Sequence, residues 1–403
     1  MRLVNSILDT DLYLFSMSWA YIKLYPEAEG TLEFIDRGNT CYTEDFLQDL
    51  KMAVAELSQL KLSDHEKDAA FKKTGQWIPM IYWEWLQSFR FDPKKINIEL
   101  VPDPTDSTKK QLKMSVTDKL YKTVLYEVHL LAIVSELRHK MMGNTLNLSQ
   151  YIINLDRKIE LSNQHQLRFG DMGTRRRYSA SLHEEVIRRL KEKSTYFTGT
   201  SNVYLAIQFD LPVIGTMAHS WIQFHAAQYG YRNANYQMME AWIQVYDGNL
   251  GCALTDTLTN SVFFDNFSRK HALLFRQIRH DSGDPYLYVM KAISRYKELG
   301  IDPASKTIVF SNALDFQTYK DISDYCRGRI GCVAGIGTNL TCDVKSFGFN
   351  SANIVMKMTE CCMNKNKPLV KTIKISDDLG KAMGDKTELK LASDTLGLNL
   401  KID

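Results

Sequence analysis

A guanidinium and two carboxylates crowd around one glycine in RHDSGDP at 279–285. Arg279, Asp281 and Asp284 in that order can grip ribose hydroxyls, a pyrophosphate or a phosphate-bound magnesium ion. The same residues also suit a helix start, with Asp284 as cap and Pro285 at the first helical position, and both readings can hold at once. GIGTNL at 335–340 follows the β-prone Cys332-Val333-Ala334. Its backbone N–H groups, from Gly335 through Gly337, Thr338 and Asn339, would then point outward near a helix start, where phosphate binds well. Two glycines after a strand usually mark only a tight turn, so it is position among the other motifs that favours phosphate here. Arg175-Arg176-Arg177 lacks the basic and aromatic surroundings of a nucleic-acid footprint. It fits better as a clamp for a carboxylate or phosphate, with at least one of the three structural because adjacent side chains diverge. His219 stands in GTMAHSW at 215–221, where spacing alone favours a structural role over a catalytic one. The nine histidines show no zinc spacing, so no metal held by protein side chains is expected. A covalent or acid/base role for His219 stays open.

The elements that must position these residues are legible from about residue 165 to 345. Short β-prone runs end near Gly173, Gly199, Gly215, Thr255, Asp281, Ser311 and Gly335, each followed by a helix-like segment. Strand then helix, repeated in series, is the pattern of parallel strands with crossover helices and predicts an irregular (β/α) barrel, with an open doubly wound sheet as the other solution. In a barrel the loops after the strands share one face. Arg175, Ser201, His219, Asp256, Arg279 with Asp281 and Asp284, Asn312 with Asp315, and the glycine loop would therefore meet at one pocket. Ser181 with Glu184 reads as a capping box, followed by Leu182, Val186 and Leu190 on one face.

The fold class is thus α/β, a barrel over residues 141–345, with a second α+β domain formed by residues 1–140 joined by the C-terminal segment 346–403. The N-terminal part is irregular and aromatic at 77–91, then helical from Tyr121 to Met142. In the C-terminal segment, Ile354 to Thr359 and Leu369 to Ile375 read as strands around a turn at 364–367, returning to the N-terminal region.

The bulk properties exclude several classes. At 403 residues, 44% hydrophobic and 24% charged, the chain can bury one large core plus a smaller domain. Lys and Arg outnumber Asp and Glu by 50 to 47, so the formal charge of +3 gives no reason to expect nucleic acid. Seven cysteines without C-x-x-C spacing fit reduced thiols and a cytoplasmic location. No apolar run is long enough for a signal peptide or a bilayer span, so no membrane association is expected.

Taken in order, DTDLY (9–13), GTRRR (173–177), GTSN (199–202), GTMAHSW (215–221), ALTD (253–256), RHDSGDP (279–285), FSNALD (310–315) and GIGTNLTCD (335–343) resemble the type II phosphoribosyltransferases of NAD synthesis, specifically the nicotinate phosphoribosyltransferase family. The resemblance spans almost the whole chain. It implies nicotinate and phosphoribosyl pyrophosphate as substrates, ATP as cosubstrate, and Mg2+ accompanying the pyrophosphate and ATP. The ring would lie near Tyr13, with its carboxylate facing Arg175 and the loop at Ser201. His219 would be the histidine phosphorylated by ATP, in a form that binds phosphoribosyl pyrophosphate better. Arg279, Asp281 and the glycine loop would hold the ribose phosphate and pyrophosphate, with Asp256 and Asn312 also contacting substrate. The reaction develops an oxocarbenium-like sugar and a polyanionic leaving group, so preorganised charge matters more than a strong nucleophile. A phosphorylated His219 suits an electrostatic switch rather than a general base.

Nicotinamide-using relatives carry an aspartate where this chain has Ser201. A serine hydroxyl can donate to nicotinate, whereas an aspartate would repel it. The family's usual phenylalanine before GTRRR is Met172 here, with Phe169 three residues earlier, so either Met172 contacts the pyridine or Phe169 turns inward. Relatives often draw the N-terminal tyrosine from a neighbouring subunit, which favours a homodimer. The competing readings are a nicotinamide phosphoribosyltransferase, a barrel phosphosugar enzyme of another class, and a barrel that binds without turnover. No lysine stands at a strand end to support Schiff-base chemistry.

Overall fold

Apolar residues alternate or run continuously in two segments more than 300 residues apart, and these pair. In the computed structural model, which describes residues 3–378 and 382–400, β1 (Glu29–Asp36) is antiparallel to β10 (Ile354–Cys362), with Glu29 opposite Cys362 and Asp36 opposite Ile354. On its other side β1 meets β3 (Lys110–Lys119), which pairs with β2 (Ile96–Pro102), while β11 (Val370–Lys371) extends β10. The sheet order is β11-β10-β1-β3-β2. Leu112, Met114 and Val116 alternate inward along β3, leaving the intervening residues outside, as expected of a sheet covered on one face.

The second sheet is parallel, ordered β5-β4-β9-β8-β7-β6. Its strands are β4 (Phe169–Asp171), β5 (Phe197–Thr200), β6 (Cys252–Leu254), β7 (Gln277–His280), β8 (Thr307–Phe310) and β9 (Gly331–Ile336). They are buried or half-buried and only three to six residues long, so the helices between them supply much of the packing. In the helix Ala180–Lys193, Leu182, Val186 and Leu190 all face the core, each stabilising by roughly 1.5–3 kcal/mol. Its cap is Ser179 rather than Ser181: the extended backbone of Ser179 aims its hydroxyl at Leu182 N, 3.1 Å away. Asp284 and Asp315 are likewise caps, of the helices Pro285–Glu298 and Phe316–Cys326.

Six of the seven expected strands form ladders. The run before Gly215 does not: it makes a single bridge, Thr200 to Val213. Pro212 has no N–H to give and Gly215 turns out of the extended region at φ 126°, so a ladder cannot propagate. This run nevertheless stands between the two edge strands. Pro212 O accepts from Thr200 N of β5, and Thr216 Oγ1 donates to Cys252 O of β6 at 2.9 Å. The helix expected from Tyr121 is also interrupted: a turn at Val124–Tyr126 separates the short Leu120–Thr123 from Glu127–Met141. The strand expected from Leu369 keeps only two ladder residues.

Two chain segments tie the sheets together over the carboxyl ends of the parallel strands. Asp11 bridges to Asn202, and Leu12 N donates to Ser201 O at 2.8 Å. From the other end of the sequence, Ile375 N donates to Thr257 O at 2.8 Å, and Asp377 and Asp378 accept from the backbone of Asn260 and Gly283. Ile373 and Ile375 pack with Leu258, Val262 and the C-terminal helix Lys386–Leu396. No described helix is long and apolar enough to cross a membrane.

Candidate active site

Two adjoining cavities open over the parallel strand ends. The first, of about 160 Å³, is walled by Tyr13, Met172, Arg175, Ser201, Gly335 and Gly337, and Arg279 and Asp281 also line it. The second, of about 340 Å³, lies between the two sheets and shares Tyr13, Arg175, Arg279, Asp281 and Thr338 with the first. Asn312 and His219 line only the second.

Met172 lies against the glycine loop: a Cβ added to Gly335 would run into its sulfur. Phe169 does not turn inward. It is fully buried against Phe197 and Phe316, with ring centroids 5.6 and 4.8 Å away, because the odd-numbered side chain at that point of β4 faces the helices. Thus Met172, not Phe169, borders the cleft. Asn339 lines neither cavity; its carbonyl accepts from Lys158, and the helix it belongs to is only Thr338–Thr341.

The three arginines part company as expected of adjacent side chains. Arg175 and Arg176 face the cavities, whereas Arg177 is buried in a two-pronged ion pair with Asp9 at 2.7 and 2.9 Å. Ser201 does not present its hydroxyl hydrogen to the cleft. It donates to Asp11 Oδ1 at 2.8 Å, and burial raises the Asp11 carboxyl, against the lowering effect of Thr174 and Ser201. A carboxyl group at this wall was not foreseen from the position of Ser201 alone.

His219 begins the helix His219–Tyr229, following Ala218 in extended conformation. Its Nδ1 lies 2.9 Å from Thr257 Oγ1, and its Nε2 lies 3.2 Å from Asp281 Oδ2 and 3.1 Å from Lys374 Nζ. Burial, reinforced by the Lys374 charge, pulls the imidazole down to about 3, so it is neutral near pH 7. Asp256 is fully buried behind it and holds Lys374 Nζ at 3.1 Å. Burial works against the charge on Asp281, but Arg279 and His219 hold its carboxyl well below the usual range. Ser311 fixes the group by donating to Asp281 Oδ1 at 2.6 Å and accepting from Arg279 Nε at 2.9 Å.

His219, Asp256 and Asp281 each offer one atom within 4.8 Å of the others, a spacing that could hold a metal ion. Lys374 already supplies a cation to that trio, and an imidazole among two carboxylates is a poor match for the all-oxygen octahedron magnesium prefers. Of the two carboxylates in the trio, only Asp281 lines the cavities.

Among the described residues, six cationic side chains line the second cavity, Arg37, Arg175, Arg176, Arg279, Lys357 and Lys374, against the carboxylates Glu127 and Asp281. Crowding is evident in their chemistry: burial and then Lys374 and Arg175 bring the Lys357 ammonium down to about 7. Sequence reasoning missed Lys357, Lys374, Arg37, Glu127 and Asp11 as cavity residues. A signal existed for the lysines, because each interrupts an apolar run, Met356-Lys357-Met358 and Ile373-Lys374-Ile375. Tyr13 of this chain lines both cavities.

A cleft walled by Tyr13 and Met172 and ringed by arginines, opening into a chamber lined by further cations and a buried histidine, fits an enzyme that handles small anionic and phosphorylated substrates. The chain belongs to the nicotinate phosphoribosyltransferase family. The model of that family matches residues 167–400, and the model of its N-terminal domain matches residues 8–135. The nicotinate phosphoribosyltransferase of Desulforapulum autotrophicum is 41% identical over 391 residues, 96% of this chain and 97% of the relative. That of Chromohalobacter salexigens is 38% identical over 98% of this chain and 99% of its own length. A crystal structure of nicotinate phosphoribosyltransferase from Porphyromonas gingivalis superposes with a TM-score of 0.94 at 42% identity, covering 98% of this chain and all of that one.

Proposed function

We infer that the protein transfers the phosphoribosyl group of phosphoribosyl pyrophosphate to nicotinate, forming nicotinate mononucleotide and pyrophosphate, with ATP consumed through a phosphohistidine at His219. The observation that carries this reading is the shared wall of the two cavities, with Arg279 and Asp281 lining both, so that a ring bound in the first would lie next to a polyanion bound in the second. The parallel sheet is read as the wall of an irregular barrel, closed by the 212–216 run between β5 and β6.

The ring nitrogen attacks the anomeric carbon as the bond to pyrophosphate breaks and the leaving group departs with the electron pair. Arg175 faces the nicotinate carboxylate. The cationic residues of the second cavity hold the pyrophosphate, and the ionised Asp281 lies where positive charge builds on the sugar, so both charges are met by fixed groups. Magnesium bound to the polyphosphate would supply further neutralisation of the leaving group. Seven free cysteines suit a reducing, cytoplasmic setting.

Asp11 gives a specific reason to compare nicotinamide, since a carboxylate at the ring cleft can accept from an amide N–H. Incubation with phosphoribosyl pyrophosphate, Mg2+ and ATP, with either nicotinate or nicotinamide, tests both readings by following mononucleotide and ADP together. Nicotinate turnover coupled to ADP is expected. Preference for the amide overturns the substrate assignment, and no mononucleotide from folded protein overturns the reaction.

A further inference from the structure

The two contacts at His219 Nε2 make incompatible demands. Asp281 Oδ2, at 3.2 Å, can only accept a hydrogen, whereas Lys374 Nζ, at 3.1 Å, can only donate one. A neutral imidazole carries a single ring hydrogen, so one contact is satisfied at a time. On the opposite side Thr257 Oγ1 can either donate to Nδ1 or accept from it, and so permits both tautomers.

The surroundings favour one of them. Asp281 does not depend on the imidazole, because Ser311 donates to its Oδ1 at 2.6 Å and Arg279 Nη2 lies 3.4 Å away. Lys374 is 5% exposed and is held between His219 Nε2 and Asp256 Oδ2. The segment that carries Lys374 also fixes the far side of the ring: Ile375 N donates to Thr257 O, setting the residue whose hydroxyl meets Nδ1. Nε2, by contrast with Nδ1, is turned towards the two cavity-lining groups, Asp281 and Lys374. One strap of chain, residues 374–375, therefore orients both nitrogens of a histidine 155 positions earlier.

We propose that Lys374 readies His219 as the phosphoryl acceptor, selecting the tautomer with hydrogen on Nδ1 and the lone pair on Nε2, and then pairing with the phosphoryl oxygens after transfer. This rests on the phosphohistidine reading given above and assigns a residue to it. The Nε2 lone pair forms the N–P bond while the bond from the γ-phosphorus to the bridging oxygen breaks, and ADP departs with that electron pair. The Nδ1 hydrogen stays directed at Thr257, so no base has to remove a proton before attack. Lys374 gives up its hydrogen bond to Nε2 and finds new acceptors on the transferred phosphoryl group, within reach of its flexible stem.

The test uses full-length wild type, Lys374→Met and Lys374→Arg, each checked for folding by its thermal transition. Two rates are read: acid-labile protein labelling from ATP carrying a γ-phosphorus radiolabel, and ATP-free mononucleotide formation at saturating phosphoribosyl pyrophosphate. Labelling in Lys374→Met should fall by about 100-fold or more, the scale for loss of one preorganised donor, and by more than the ATP-free rate falls. Lys374→Arg, which keeps charge and donor, should recover most of the labelling. Wild-type labelling with equal labelling of Lys374→Met overturns the role of Lys374 alone. So do equal losses in both rates, or no recovery in a folded Lys374→Arg, which would mark a merely structural residue. A wild type that takes no label overturns the phosphohistidine reading and this assignment with it.

Discussion

The Ser201 hydroxyl donates to Asp11 Oδ1 at 2.8 Å, with both side chains buried at the edge of the ring cleft. The serine therefore serves the protein before it serves a ligand. Ser201→Ala should destabilise the fold by roughly 1–3 kcal/mol, the cost of leaving a buried acceptor short of a partner, as measured by urea denaturation. The KM for nicotinate should rise only a few-fold. A tenfold or larger rise with unchanged stability would show instead that the hydroxyl contacts nicotinate directly.

Gly335 and Met172 are coupled by contact, since a Cβ on the glycine meets the thioether. Gly335→Ala should push the flexible methionine into the cleft and raise the nicotinate KM about tenfold, within the 1–3 kcal/mol typical of overpacking. Adding Met172→Ala should recover part of the loss. Additive effects in the double variant would mean that the two positions act separately.

Arg177 and Asp9 form a buried ion pair whose removal leaves a stranded charge. Arg177→Met should cost roughly 3–5 kcal/mol. Burial opposes the charge on Asp9, yet Arg177 and Asn202 hold its carboxyl well below the ordinary value. A depressed carboxyl contributes stability above its unfolded pKa and loses it as pH falls towards the folded one. Acid denaturation of wild type should therefore show a steep loss below about pH 4, and the variant a shallower one.

Burial, with the neighbouring charges of Lys374 and Arg175, lowers the Lys357 ammonium to about 7. A bound polyanion favours its charged form, so binding takes up a proton above that pH and weakens as pH rises. Pyrophosphate affinity, measured by calorimetry, should decline from pH 6.5 to 8.5 in wild type. Lys357→Met should bind less tightly throughout and lose that inflection. Parallel profiles would assign the pH dependence to another group.

His219→Ala should abolish both labelling by ATP and nicotinate-dependent ADP release, with some ATP-free transfer persisting at high phosphoribosyl pyrophosphate. Undiminished ATP hydrolysis would remove the histidine from its assigned role.

Much of this protein is local and so legible in its sequence. Strand ends followed by capped helices marked out the parallel sheet, because glycine, proline and short polar residues act on the backbone within a few positions of themselves. The same punctuation placed Arg175, Arg279, Asp281 and Gly335 at one mouth. The exceptions are also local in cause: Pro212 and Gly215 prevented a ladder that hydrophobicity alone suggested, and the extended Ser179 displaced Ser181 as the helix cap.

Pairings across long stretches of chain were decided only by the tertiary structure. Asp11 reaches Ser201 across 190 positions and Lys374 reaches His219 across 155, and no spacing rule links residues so far apart. Sequence could show that a lysine interrupted an apolar run, which is costly to bury without a partner. Only the fold shows that its partners are the candidate phosphoryl acceptor and Asp256, because a buried charge is placed by whatever opposite or hydrogen-bonding group the packing brings to it.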